Sequence, residues 1–431
     1  MERPTQKSSI GFTTTSKTRT NLQKQFSILP MLSNEFEHLA GHEVQIYLFD
    51  QTESDVPGLH LRHSEMFGLP FRLIAEQLKA RKKAVSKLPL FYKTKGIIYP
   101  PSLNWEQCSS EATANFKVEI ISREIGKSKF KVADLTGGFG VDSFFLSKNA
   151  ESLDYVEPDL NLLDIAQHNH SLLGCTNVHY HQAKAEEFLV HGKTNYDLIY
   201  LDPSRRDSNS KKVFRLADCQ PDINKLLPKL AEASEFVLLK AAPLLDIQQG
   251  LSELINVKKI MVVSVDNECK ELLFLLQSGH LKAPVIETYN LDKLGHAKQY
   301  FSFTFEEEKN INSNFGDPHT YLYEPNASIL KSGAFKLVGE KFGLLKLHRN
   351  THFYTSSSLI KNFPGRVFKI EQIEFNAKNF PEKKANVITR NYPIKAEELK
   401  KKLKLTDGRE KYVIGFSGER KKYVVLATRL A

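Results

Sequence analysis

Val132-Ala133-Asp134-Leu135-Thr136-Gly137-Gly138-Phe139-Gly140-Val141-Asp142 is an apolar run that ends on an aspartate, turns through three glycines and continues into an apolar helical stretch. Glycines in such a turn let the backbone approach a ligand at the carboxyl end of a strand, where the following helix also points its first amides. The next apolar run, Ser152–Glu157, ends on a carboxylate 23 residues after Asp134. That is the place from which an acid holds two ribose hydroxyls, so the pairing narrows the ligand to a nucleoside. The spacing of Asp134, Gly138 and Gly140 differs from the three-glycine dinucleotide fingerprint.

Working outward, five short apolar runs alternate with helical stretches, as in a parallel sheet wrapped by helices: Lys131–Leu135, Ser152–Glu157, Val178–His181, Leu198–Asp202 and Phe236–Lys240. Two more, Ile260–Val265 and Glu271–Leu276, stand only five residues apart. No crossover helix fits there, so the last two strands are expected to form an antiparallel hairpin at the sheet's end. Upstream, Phe71, Ile74, Ala75, Leu78 and Val85 share one helical face, and Lys79, Arg81, Lys82, Lys83 and Lys87 are expected on the exposed side. Tyr99-Pro100-Pro101 interrupts helix, and Ser109 and Ser110 ahead of Glu111 read as the start of a new one. Beyond 280, Glu306 to Asn310 reads as a loop and Thr355 to Ser358 as a boundary, followed by strands, a helix at Lys395–Leu405 and a terminal hairpin.

With 431 residues, 41% of them hydrophobic and 26% charged, the chain is too long for one core. No apolar run reaches the roughly 20 residues of a membrane-spanning helix, so no membrane association is expected. Four widely separated cysteines, Cys108, Cys175, Cys219 and Cys269, lack the close pairing of zinc or redox sites and suit a reducing, cytoplasmic setting; no metal is expected. Neither Cys219 nor Cys269 lies in a nucleophile motif, and His168, His170, His179 and His181 lack an evident third ligand and read as surface residues. The net charge of +10 is concentrated: residues 281–431 hold 27 Lys and Arg against 16 Asp and Glu, leaving the first 280 at −1. A neutral body with a basic tail domain suits a polyanion, and equally a solvated basic surface.

The fourth run ends in Asp202-Pro203-Ser204-Arg205-Arg206. Together with the Asp134 turn and Glu157, this resembles class I S-adenosylmethionine-dependent methyltransferases over about 120–280. The resemblance implies S-adenosyl-L-methionine as cofactor, with Asp134, Thr136, Gly138 and Gly140 lining its methionine end, Glu157 on its ribose and Asp202 beside it. Amine-methylating members carry an acid or amide, two prolines and an aromatic where Asp202, Pro203 and Arg205 stand, which gives these three the catalytic expectation. The acid or amide accepts a hydrogen bond from the amine and orients its lone pair; Arg205 offers a guanidinium in place of the aromatic ring. Such enzymes commonly set an Asp against adenine after the third strand, where this chain reads Gln182-Ala183-Lys184-Ala185-Glu186. Lys240 and Asp246, after the fifth run, stand either near substrate or at a helix start.

A longer string, from Tyr99-Pro100-Pro101 and Glu106 to Thr113 through the two loops to Asn267-Glu268-Cys269-Lys270-Glu271-Leu272-Leu273, is similar to one bacterial group of class I methyltransferases with ferredoxin-like and THUMP-like units after the catalytic domain. The expected fold is therefore α/β: a seven-stranded Rossmann-like methyltransferase sheet with an antiparallel last strand, an N-terminal helical region and two small C-terminal α+β domains. Expected boundaries are a disordered tail at 1–26, a helical cap at 27–115, the methyltransferase domain at 116–280, a ferredoxin-like domain at 281–355 and a THUMP-like domain at 356–431. The implied activity is methyl transfer to a base of tRNA or rRNA. The alternatives are a catalytically inactive RNA-binding relative, or a methyltransferase acting on protein or a small molecule.

Overall fold

The computed structural model describes residues 33–52, 55–191, 195–205, 215–408 and 410–430. The tail expected at 1–26 lies outside them, as do Arg206 and the side chain of Arg205.

Helix α1 (Phe71–Lys87) anchors the N-terminal cap by burying Phe71, Ile74, Ala75 and Leu78. Val85 points outward, and Arg81 corrects the charge pattern by being buried. Its guanidinium lies 4.5 Å and 4.6 Å from the ring centres of Phe49 and Tyr92, and its Nε donates to Thr52 Oγ1 at 2.8 Å. Aromatic faces and a hydroxyl thus replace the water that the cation gave up. Helix α2 (Glu111–Ile125) starts at Ser110, whose side chain accepts from the Thr113 amide, and stops at Gly126 in the left-handed conformation.

The main sheet takes β1 (Phe130–Asp134), β2 (Ala150–Val156), β3 (Val178–His181), β4 (Tyr196–Leu201), β5 (Ser234–Ala241), β6 (Val257–Val265) and β7 (Glu268–Gln277). Between them run α3 (Val141–Ser147), α4 (Leu160–Leu172), α5 (Ala185–His191), α6 (Ile223–Ala233) and α7 (Ile247–Glu253). The strands lie in the order β3-β2-β1-β4-β5-β7-β6, parallel except for β7, which is inserted antiparallel between β5 and β6. The hairpin expected at the end of the run is present. Its turn is tighter than the sequence spacing suggests, because Asp266 and Asn267 both take positive φ, the pair of conformations a two-residue hairpin turn requires.

The sheet does not stop at seven strands. β8 (Val285–Leu291) pairs parallel with β6, and β9 (Ala297–Phe303) closes the edge antiparallel, making nine. The boundary expected at 281 therefore falls inside the main sheet. β8 carries the apolar Ile286, Tyr289 and Leu291, all buried, so β6 is a central strand instead of an exposed edge.

The segment read as a loop at 306–310 is a helix, Phe305–Asn310, set by a reciprocal capping box between Thr304 and Glu307. Beyond it, β10 (Tyr321–Pro325), β11 (Leu345–His348), β12 (Thr351–Ser356), β13 (Gly365–Gln372), β14 (Asn386–Arg390), β15 (Lys411–Ser417) and β16 (Lys422–Arg429) make one seven-stranded sheet, β11-β12-β10-β13-β16-β15-β14. The two small units expected here share this sheet through the β10–β13 pairing, and the boundary expected at 355 falls within β12. Helix α8 (Ala327–Ser332) ties the C-terminal part to the main sheet. The Ala327 amide donates to Asn267 Oδ1 at 2.8 Å, and Lys331 Nζ donates to the Leu245 carbonyl at 2.8 Å.

Candidate active site

A cleft of about 370 Å³ opens at the carboxyl ends of β1, β2 and β4. That volume is ordinary for a small-molecule site. Asp134, Thr136, Gly138, Gly140, Glu157 and Asp202 all line it, so the six residues expected around a cofactor meet in one place. Pro203 lines an adjoining cavity of about 270 Å³, and Asp202, Ser204 and Gln107 line both. The backbone of Arg205 pairs with Cys219 in a two-residue ribbon beside them.

The glycine turn is held from below. The Gly137 amide donates to the Val156 carbonyl at 3.0 Å, and a Cβ added at Gly137 would lie 2.3 Å from the Tyr155 ring. Gly140 has φ +80°, and an added Cβ would stand 2.7 Å from His170 Nε2. Only glycine fits either position. His170, read from sequence as a surface residue, is fully buried in α4, with Nε2 2.8 Å from the Gly140 carbonyl and Nδ1 2.9 Å from the Tyr180 hydroxyl. Burial drives its pKa down to about 4, so the ring is neutral and clamps the loop. At Gly138 the situation is reversed. Its φ is +57° and an added Cβ would meet nothing closer than Thr136 O at 3.7 Å, which leaves open space beside this Cα.

Glu157 is aimed into this turn. Its Oε2 accepts from the Gly138 amide at 2.8 Å and its Oε1 from the Asp159 amide at 2.9 Å. Each oxygen keeps a lone pair for a further donor. Burial pushes its carboxyl up, against those two backbone bonds. Asp134 receives the Thr136 amide at 3.0 Å and the Ser143 hydroxyl at 2.5 Å, and Thr136 Oγ1 accepts from the Asp202 amide at 2.6 Å. Thr136 thus stitches the end of β1 to the end of β4.

Below the cleft lies an ionic cluster. Lys117 of α2 is 1% exposed; its Nζ is 2.7 Å from Glu271 Oε2, 3.1 Å from Asp142 Oδ1 and 3.1 Å from Ser109 Oγ. Ser109 donates to Asp142 Oδ2 at 2.6 Å and accepts from Lys240 Nζ at 3.0 Å, while the Tyr200 hydroxyl donates to the same Asp142 oxygen at 2.8 Å. Lys240 Nζ stands 2.5 Å from Asp202 Oδ2. Burial pushes the Asp142 carboxyl up, but Lys117 and Lys240 outweigh it and hold the group below its usual range. Two ammonium groups therefore face the carboxylates of Asp142, Glu271 and Asp202, an excess of negative charge at the floor of the cleft.

The sequence pattern reads Ser109 as a helix cap alongside Ser110; in the structure Ser110 is the cap, and Ser109 is the hub of this cluster. Lys117 and the role of Glu271 were not read from sequence, although a lysine among Ala114, Phe116, Ile120 and Ile121 on a core-facing helix stripe is the sign of a buried, paired cation. Asp246 caps α7, accepting from the Gln249 amide, so it belongs to the helix start. Among the described residues no group of three or more His, Cys, Asp or Glu could hold a metal ion, and no helix is long and apolar enough to cross a membrane.

Asp134 carries a pH consequence. Burial raises its carboxyl to about 7 despite the bonds from Ser143 and Thr136. A raised carboxyl adds stability that is complete below its unfolded value and lost as pH rises through the folded value. Between about pH 4 and 7 the Asp134→Asn variant, which does not titrate, is expected to gain up to about 4 kcal/mol relative to the native chain. Denaturant unfolding of both at several pH values reads the difference; a constant gap would contradict the assignment.

Family models match the C-terminal part of the chain: a ferredoxin-like domain over residues 321–364 and a THUMP domain-like unit over 365–429. Along most of its length the chain is similar to a protein of Porphyromonas gingivalis W83, provisionally named a methyltransferase, whose crystal structure is known. The two are 31% identical over 90% of this chain and 99% of that one, with a TM-score of 0.77. A shorter similarity, 27% identity over 135 residues, joins it to an uncharacterised RNA methyltransferase of Mycoplasma mobile, covering 31% of this chain. The chain spans 36% of the length of that curated relative.

Proposed function

Because the chain belongs to the bacterial family that couples a class I methyltransferase fold to C-terminal ferredoxin-like and THUMP-like units, we propose that it methylates a base of RNA, in tRNA or rRNA, in the cytoplasm, using S-adenosyl-L-methionine. One observation carries the reading: a single cleft is walled by Asp134, Gly138, Glu157 and Asp202 at the ends of adjacent strands. The residues fit the cofactor on three counts. Open space lies beside the Gly138 Cα, both Glu157 oxygens retain acceptor capacity, and the carboxylate excess beneath the cleft complements a ligand bearing sulfonium and ammonium charges. With the adenine-facing Asp absent, Lys184, Ala185 and Glu186 are the residues lining that side.

The cofactor, when bound, supplies a sulfonium methyl: the acceptor's lone pair forms the new bond to carbon as the carbon–sulfur bond breaks, its electrons staying on sulfur and a proton being shed by the acceptor. The protein's share is alignment, and no strong base is demanded. Glu157 would hold the ribose hydroxyls, the glycine turn the methionine end, and Asp202 the acceptor. The basic C-terminal part, with 14 Lys and Arg against 6 Asp and Glu from residue 380 on, supplies counter-charge for a phosphate backbone. Four cysteines spread widely along the sequence suit a reducing compartment.

Nucleoside mass spectrometry of tRNA and rRNA from a strain lacking the gene tests the substrate. Loss of one methylated nucleoside, restored by the native gene, is expected. An unchanged inventory would remove the RNA assignment. For the cofactor, Glu157→Ala is expected to weaken binding of S-adenosylhomocysteine by on the order of 10²-fold, the worth of hydrogen bonds to a charged acceptor. Calorimetric titration of both proteins reads this directly.

A further inference from the structure

Asp202 stands where the two cavities meet, and its carboxylate is gripped from one side. Lys240, at the carboxyl end of β5, lines the second cavity with Pro203, Ser204 and Ala241. Its ammonium donates to Asp202 Oδ2 at 2.5 Å and to Ser109 Oγ at 3.0 Å, with Asp142 Oδ2 at 4.0 Å. The Lys240 side chain is 9% exposed, whereas that of Asp202 is 32% exposed, and among the described residues Asp202 Oδ1 takes no hydrogen bond. One oxygen is therefore pinned by a buried cation while the other takes no hydrogen bond from the described residues at the junction of the cavities.

We propose that Lys240 is a positioning residue for methyl transfer: by gripping Oδ2 it keeps Asp202 ionised and reserves Oδ1 for an N–H of the acceptor nitrogen in the second cavity. This rests on the methyltransferase reading above but not on the acceptor being RNA. A carboxylate held this way orients the nitrogen lone pair away from itself, toward the first cavity. The proton shed as the nitrogen gains its methyl group goes to solvent, while Asp202 serves as a hydrogen-bond acceptor throughout. Lys240 favours the ionised, accepting form of that carboxylate.

The surroundings set the electrostatics. The carboxyl groups of Asp142, Glu271 and Asp134 lie around the pair together with the cations Lys117 and Lys87 and with Tyr200 and Cys108, and Arg215 and Lys270 line the same cavity. Burial lowers the Lys240 ammonium, but Asp202, Glu271 and Asp142 outweigh it and hold it above its ordinary value. Burial works against the charge on Asp202 as well, and Lys240 is the largest influence opposing it. Without Lys240 the carboxyl is left to burial and to Asp142, and it rises further.

The test uses tritiated S-adenosylmethionine with the full-length protein and two acceptor fractions, RNA and protein, from a strain lacking the gene. Whichever fraction takes label from the native enzyme serves for the variants. Lys240→Met is expected to lose on the order of 10²-fold in kcat near neutral pH and to regain part of it as pH rises and Asp202 ionises. Lys240→Arg is expected to stay within about tenfold, keeping the cation with altered geometry. The double variant Lys240→Met/Asp202→Asn is expected to exceed Lys240→Met alone at neutral pH, because an amide oxygen accepts the N–H without needing a cation. A deficit in Lys240→Met that is equal at every pH, with no gain from the second substitution, would assign Lys240 to structure only and overturn the proposal. Label in protein and not in RNA would overturn the RNA reading and leave this one standing on the same profiles. Label in neither fraction would overturn both.

Discussion

Asp202→Ala is expected to lower methyl transfer by on the order of 10²–10³-fold while S-adenosylhomocysteine binds within about threefold of native affinity. Asp202 contributes its backbone to the cleft through the amide bonded to Thr136 Oγ1, a contact alanine retains, so the junction of β1 and β4 persists. Only the carboxylate at the junction of the two cavities is lost. Among the described residues, removing it also leaves Lys240 with Ser109 Oγ as its remaining hydrogen-bond partner and with Asp142 at 4.0 Å, close enough to keep the ammonium compensated. Kinetics with the acceptor fraction that takes label, set beside calorimetry on the same preparation, separate the two effects. Methylation that survives the change would remove Asp202 from the transfer step.

Lys117→Met is expected to destabilise the fold by about 3–5 kcal/mol, the usual consequence of removing one member of a buried ion pair and stranding the other. Here the stranded groups are Glu271 and Asp142, 3% and 8% exposed, with Lys240 left as the remaining nearby cation. The cluster joins α2, α3, β5 and β7, so its loss is felt across the sheet. Trp105, the chain's single tryptophan, is buried in the cap with its ring 6.1 Å from that of Phe139 in the glycine turn, and it reports the transition by fluorescence. Replacing Lys117 and Glu271 together, by Met and Leu, is expected to recover part of the loss, because the apolar pair strands one fewer charge. A Lys117→Met protein as stable as the native one would show that the cluster is not held by that cation.

The parts legible from sequence are those that local chemistry dictates. Asp134, the glycines and Glu157 could be placed because a strand must end before a turn and the turn needs residues without a Cβ, as the Tyr155 and His170 contacts at Gly137 and Gly140 bear out. All seven strands of the expected sheet, and its terminal hairpin, followed from apolar runs and the lengths between them. What escaped depends on contacts distant in sequence. Val285–Leu291 reads as one more apolar segment, and nothing local says that it pairs with β6 instead of starting a new unit. Arg81, His170 and Lys117 are polar residues whose burial is made tolerable by partners 29, 30 and 154 positions away. Charge patterning assigns such residues to the surface by default, and only the fold supplies the rings, carbonyls and carboxylates that receive them.

Calorimetric titration of the full-length protein with S-adenosylhomocysteine bears most directly on the cleft at the ends of β1, β2 and β4. One site per chain with micromolar affinity is expected, displaced by S-adenosylmethionine and weakened in Glu157→Ala. No heat of binding at high micromolar ligand, or equal affinity in native and Glu157→Ala proteins, would contradict the assignment of this cleft to the cofactor.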